Sequence, residues 1–389
     1  MKRLAWLILL LPLLFGCSGN KDNSEPPAEL VPLSPSADIT RLWQRSIGKG
    51  VKRQYIQMRP LVLSDRLVVV DRDGQLSVID RDSGKILWQH ELNLKVSAGV
   101  GGDERLLLVT SQEGDVVAID GEQKVELWRA KVSSEVLSPP VLAGDKVIVR
   151  SVNGEISALA RESGELAWFY RRDVPGLTLR GTSTPMVVQD HIYVGLDNGR
   201  MVVLSAADGH LIGEATIAIP SGRSELHRLV DIDADSVLWA NLLYSVSYQG
   251  RIVAMDIQRG ELIWSRDMSS HSGMDIVGDS VFVSDERSHV WGLDRNSGAT
   301  LWKLDKLNAR QITAPVVMDE TLVVGDFEGY LHWISQYDGR FVARVQVDKS
   351  GILSAPVVTD DRLYVLTRAG NLAAYAMRPS GKSENADFE

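Results

Sequence analysis

From residue 60 onward the chain is a succession of short apolar runs, each closed by polar turn residues. "RLVVV" (66–70), "KVIVR" (146–150) and "TLVVG" (321–325) are examples, rich in β-branched side chains. Asp-Gly, Asn-Gly and Ser-Gly pairs separate such runs and supply hairpin turns. Val and Ile suit strands covered on both faces. Beyond the first fifteen residues no window has the period of an amphipathic helix, so the pattern predicts an all-β chain.

The runs fall into a repeat. Gly74 precedes Trp88, Gly114 precedes Trp128, Gly154 precedes Trp168 and Gly250 precedes Trp264, with the same spacing each time. "GQLSVIDRDSGKILW" and "GRIVAMDIQRGELIW" are two copies of one unit. Aligned on the last strand, the anchors are Trp43, Trp88, Trp128, Trp168, Gly213, Trp264, Trp302 and Ala343. Each unit opens on a strand such as "APVVMDE" and holds four strands in all. A unit of this size cannot bury its apolar face alone and must stack or radiate. Tryptophans at a fixed register are read as packing between units, because each buries a large apolar area. Trp239, Trp291 and Trp333 lie off that register and are also read as packing residues.

The ends of the repeat array complete each other. "ITRLWQRSI" is a last strand without predecessors, and "APVVTDDRLYVLTRAGNLAAYAMR" is three strands without a last one. Joined, they make one sheet and remove the open edges of an array. The expectation is an eight-bladed β-propeller of four-stranded antiparallel blades spanning 38–378, closed by pairing of its N- and C-terminal strands. Seven blades is the alternative if the irregular stretch 213–250 is misparsed.

The N-terminus is an address. Lys2 and Arg3 precede an almost wholly apolar stretch that ends at Leu14-Phe15-Gly16-Cys17, and Cys17 is the single cysteine. The stretch is short for a permanent span and reads as a signal peptide, 1–16. The junction resembles a bacterial lipobox, which implies lipidation of Cys17 and, with Ser18 rather than Asp following, the outer membrane. Acyl chains give stable anchoring when two or more are present. Residues 17–37 are rich in Ser, Pro and Glu and read as a flexible tether; 379–389 reads as a polar tail.

Little in the chain points to catalysis. The formal net charge is −9 and grows more negative once Lys2 and Arg3 leave, which argues against nucleic acid as a partner. The seven histidines show no metal spacing. Acidic residues sit mostly in turns, where Asp71, Asp73, Asp80, Asp82, Asp120, Asp208 and Asp338 are read as capping the backbone. The repeat resembles that of quinoproteins, whose enzymes bind pyrroloquinoline quinone and calcium on the axis and often carry a cysteine pair. That pair is missing, so no cofactor is expected, and a quinone-dependent periplasmic dehydrogenase stands as an alternative.

Two insertions break the even spacing: "RRDVPGLTLRGTS" (171–183) and "IPSGRSELHRLVDIDADS" (219–236). Insertions in a repeat array commonly form its binding face. They carry Leu177, Leu179 and Arg180, and Asp231, Asp233 and Asp235. With the lipobox and the repeats, "VPGLTLRG", "RLVDIDADSV" and "LVVGDFEGYLHWISQYDGRFVARVQVD" resemble the BamB family of the bacterial β-barrel assembly machinery. The likeness runs from Cys17 to about Met377. It implies a non-enzymatic, lipid-anchored scaffold on the periplasmic face of the outer membrane, bound to the POTRA domains of BamA. It also implies that Leu177, Leu179, Arg180, Asp231 and Asp233 make that contact. Whether unfolded barrel proteins are contacted too is left open, and an envelope scaffold unrelated to barrel assembly is a second alternative. The expected patch has leucines at a desolvated centre, with the aspartates attracting a basic partner surface or holding the loop in shape.

Overall fold

The alternating apolar runs pair into eight four-stranded antiparallel sheets. The computed structural model describes residues 25–51, 54–179 and 183–379. Blades 1 to 7 span 61–91, 101–131, 141–171, 186–216, 237–267, 273–304 and 316–346, each in chain order from its first strand to its last. Blade 8 joins Val357–Thr359, Arg362–Leu366 and Asn371–Pro379 to the N-terminal strand Ala37–Ser46. The expected closure is therefore present, with Ser46 opposite Asn371 and Ala37 opposite Pro379. Among the described residues the only helix is the single 3-10 turn Leu226–Arg228.

Period-two alternation explains how blades pack on both sides. In blade 1, Val68 and Val70 join a core with Leu107, Val109 and Ile119 of blade 2, while Leu67 and Val69 face Trp43 and Leu372 of blade 8. Trp333, off the main register, is fully buried against Tyr375 of blade 8. Trp239 lies beneath Arg295, and Trp291 carries Arg266 and Lys303 over its ring.

The on-register tryptophans are plugs for the next blade. Five of the six donate the indole N–H to a backbone carbonyl there: Trp43 to Arg81 at 3.1 Å, Trp128 to Arg161 at 2.8 Å, Trp168 to Ala206 at 3.1 Å, Trp264 to Arg295 at 2.8 Å and Trp302 to Gln336 at 2.9 Å. The ring lies flat on a turn glycine of that blade, so close that a Cβ on Gly164 would sit 2.5 Å from Trp128. The exceptions obey the same rule. Gly213 lacks the ring, and its opposite number Gly260 faces open space. Ala343 lacks it because blade 8 is assembled from both chain ends and has no such turn. Trp88 is only half-buried, and the corresponding turn of the next blade carries Lys124, in the left-handed conformation at φ 63, where the others have glycine.

This contrast makes a prediction. Gly260→Ala incurs only left-handed strain, about 1–2 kcal/mol. Gly164→Ala incurs the same strain and also pushes on Trp128, adding about 1–3 kcal/mol. Denaturant titration of the two variants checks the difference, and equal losses would mean that the indole is not seated on the glycine.

The turns behave as expected for side-chain capping. Asp71 Oδ1 accepts the N–H groups of Asp73 and Gln75, each at 3.0 Å, and Asp80 and Asp120 cap their own turns likewise. Asp82 instead pairs with Arg362 across the seam between blades 8 and 1, where Arg81 also pairs with Asp360. The segment 25–36, expected as tether, is seated on blade 7 instead. Ala28 N–H donates to Asn308 O at 2.9 Å and Ser36 N–H to Val342 O at 2.9 Å, while Leu30 packs against the core between blades 6 and 7. Composition misleads there because partners outside the segment satisfy its backbone.

Candidate partner-docking site

Strand direction decides where the two insertions lie. In every blade the first strand runs away from the end of the ring that its preceding connection occupies, and the fourth strand returns to that end. All connections between blades therefore sit at one end, with the turns between second and third strands. The insertions 172–185 and 217–236 are consecutive connections of this kind, on either side of blade 4.

They are tied to each other. Asp231 Oδ2 accepts the backbone N–H of Leu179, and Asp235 Oδ1 accepts that of Thr184 at 2.7 Å. The second insertion is fixed to the sheets beneath, since Ile232 N–H donates to Leu196 O at 3.3 Å and Tyr248 N–H to Asp231 O at 2.9 Å. Leu177 remains 40% exposed at the crest, and Leu179 is half-buried beside it. Ile219 and Leu226 stand out to solvent on the second insertion. Arg180 lies outside the described residues, as does Cys17.

Asp231 and Asp233 of the second insertion are not an exposed acidic face. Asp231 is fully buried and Asp233 half-buried. Beneath them Asp197 forms a buried ion pair with Arg150 at 2.5 Å, and Arg150 also donates to the Ser183 hydroxyl at 3.1 Å. One guanidinium thus faces three carboxyl groups. Burial raises Asp197 above the usual carboxylate range despite Arg150. Burial likewise pushes Asp231 up to about 7, with the Leu179 amide opposing and the Asp197 charge assisting. Asp233 is pushed up to about 8 by burial, then by Asp231 and Asp197. Asp231 is turned to the Leu179 backbone, whose N–H it accepts.

Sequence reasoning missed Arg150, Asp197 and Ser183. A signal was present. Arg150 is the one charge at the fifth position of the second strand, where the other blades carry Val70, Thr110, Gly195, Val246, Ser284, Gly325 and Leu366.

Protonation gives this site a pH signature. The folded values of Asp231 and Asp233 lie above the unfolded one, so their contribution is fully present below the unfolded value. It is lost as pH rises through about 7 and about 8. Thermal stability should fall from about pH 4, where the unfolded carboxyls ionise, to about pH 8, and Asp233→Asn should flatten that fall. Calorimetric melts of both proteins across the range check this; parallel curves would show that Asp233 titrates as in the unfolded chain.

Among the described residues no three or more His, Cys, Asp or Glu side chains are arranged to hold a metal ion, and no helix is long and apolar enough to cross a membrane. A protein-family model described as outer membrane protein assembly factor BamB matches residues 28–94, 72–304 and 292–381. The outer membrane protein assembly factor BamB of Pseudomonas aeruginosa is 40% identical over 374 residues, covering 96% of this chain and 98% of that one. The crystal structure of BamB from Moraxella catarrhalis superposes with a TM-score of 0.81 at 25% identity, covering 87% of this chain and all of that one. The quinohemoprotein alcohol dehydrogenase of Comamonas testosteroni superposes with a TM-score of 0.69 at 12% identity, a likeness of fold alone.

Proposed function

The chain belongs to the BamB family of outer membrane protein assembly factors, and from that premise we propose that it is a non-catalytic docking subunit of the β-barrel assembly machinery. Its partner is the periplasmic POTRA region of BamA. Leu177 and Leu179 supply the apolar centre of the contact, and Arg180 supplies a fork of donors for carboxylate or carbonyl groups. Asp231 and Asp233 act from beneath, by keeping that loop in shape. The observation that supports this most is the pairing of an exposed leucine crest with a buried acceptor for the Leu179 amide. A loop ordered in advance loses less conformational entropy on binding.

Cys17 carries the lipid in this reading, and Ser18 allows transfer to the outer membrane. The protein then faces the periplasm and contributes position rather than covalent chemistry. Affinity purification from detergent-solubilised membranes tests the proposal directly. BamA should co-elute with the intact chain and be depleted with Leu177→Ala/Leu179→Ala. Equal recovery of BamA with both chains would defeat it. Intact mass and membrane fractionation report the lipid, and an unmodified chain starting elsewhere would refute the anchor.

A further inference from the structure

The segment before the propeller is built into it. Two arginines of blade 7 and its preceding connection hold the segment's carbonyls: Arg310 donates to Ala28 O at 2.9 Å and Arg344 to Val31 O at 3.0 Å. Both belong to one buried network. Arg310 Nε–H donates to Asp326 at 2.8 Å and a second nitrogen pairs with Glu328. His332 Nε2 meets Asp326 at 3.0 Å, and Arg344 Nε–H donates to His332 Nδ1 at 3.1 Å. Asp326 and His332 are wholly buried. Burying such groups is costly unless they are fully paired, and here the pairing ends on the strap. Asn308 adds a hydrogen bond to the Glu25 carboxylate at 2.8 Å.

The strap also moves the point where the chain leaves the ring. Ala37 lies at the end opposite the interblade connections, because Ser46 leads into Ile47, whose N–H donates to Gly370 in a turn of the connection end. From Ala37 the strap runs back along the outer strand of blade 7, past Val342 and Arg344, to Asn308 and Arg310 in a connection. Glu25 therefore sits at the same end as Leu177 and Leu179. Eight residue steps separate Cys17 from Glu25, a reach of at most about 28 Å; twenty steps to Ala37 would reach about 70 Å.

We infer that the strap 25–36 makes the docking end of the ring its membrane-facing end, pinning that end to the lipid surface on a short leash. This rests on the anchoring of Cys17 and on the docking loops proposed above. A partner gripping Leu177 and Leu179 then meets the ring from the side nearer the lipid, and the opposite end, with Arg340 and Asp208, points away.

Single fluorescent labels test it in the lipidated, full-length chain on vesicles of phosphatidylethanolamine and phosphatidylglycerol carrying a headgroup quencher. Lys306→Cys places a label at the docking end and Arg340→Cys one at the far end. Quenching should be several-fold stronger at 306 than at 340. Arg310→Ala/Arg344→Ala, which unfastens the strap, should remove or invert the difference. A flexible twelve-residue insertion after Asn20, which leaves the network intact, should remove it as well if the arginine variant fails to fold. Equal quenching at both labels in the unaltered chain would overturn the inference, as would a difference that survives the insertion. If mass spectrometry shows no lipid, the anchor reading fails separately. The same labels are then read on the chain held to nickel-chelating vesicles by a histidine tag in place of residues 1–16, with the same two outcomes.

Discussion

Deletion of residues 38–48 should abolish cooperative unfolding and yield an aggregating chain. The deleted strand completes blade 8 along the whole of Asn371–Pro379 and carries Trp43 into blade 1. Its loss bares the edge of Asn371–Pro379 and the apolar faces of Leu67, Val69 and Ile79. Unpaired edges of this kind template association between chains. Trp43→Ala alone should cost about 3–5 kcal/mol, a large share of the roughly 5–15 kcal/mol that separates folded from unfolded protein. Arg81 with Asp360, and Arg362 with Asp82, span the same seam but are partly exposed and contribute little alone. Size-exclusion chromatography with light scattering and a denaturant titration decide the matter. A soluble deletion variant with one sharp transition would show that the ring does not depend on this closure.

Leu177→Ala should weaken binding to purified POTRA domains by about 2 kcal/mol, roughly thirtyfold, while the melting temperature stays close to that of the unaltered chain. The side chain is 40% exposed, so the folded ring loses little apolar burial when it is cut back. Leu179→Ala and Arg180→Ala should behave similarly in binding. Asp231→Ala differs in kind. It removes the acceptor for the Leu179 amide and one of two neighbouring buried carboxyls. It should lower affinity by loosening the loop and alter thermal stability as well. Isothermal titration beside a melting curve for each variant separates the two. Unchanged affinity in the leucine variants would remove them from the interface; a large drop in melting temperature would show that they are core residues.

Much of this architecture is legible in the residues because each blade restates the same local rule. The half-unit at Trp43 and the three-strand remainder after Ser354 announced the closure. The missing aromatic at Ala343 went unexplained by pattern and follows from the absence of a turn in blade 8 to receive it. Strap and site were less legible for a common reason. The Pro- and Ser-rich stretch 25–36 has no periodicity of its own, and its order comes from Arg310 and Arg344, far away in sequence. Asp231 and Asp233 read as surface acids because they stand in a polar loop, yet burial is decided by the neighbouring insertion and by Arg150 and Asp197 beneath. Repeats reveal what every unit shares, and these contacts belong to one place in the ring only.

The closing sheet has a consequence for the order in which the chain can fold. Blades 1 to 7 each consist of strands adjacent in sequence, so hairpins can form as the chain emerges from its N-terminus. The strand Ala37–Ser46 cannot pair until Asn371–Pro379 arrives. Closing so long a loop costs little in equilibrium free energy, because that cost rises only with the logarithm of length. In time the cost is larger, since pairings distant in sequence form slowly. The first strand made is thus the last to find its place. Until then Ile39 remains uncovered and Trp43 has only blade 1 to pack on, and the nascent ring is most exposed to misassociation in the interval before its final residues are delivered.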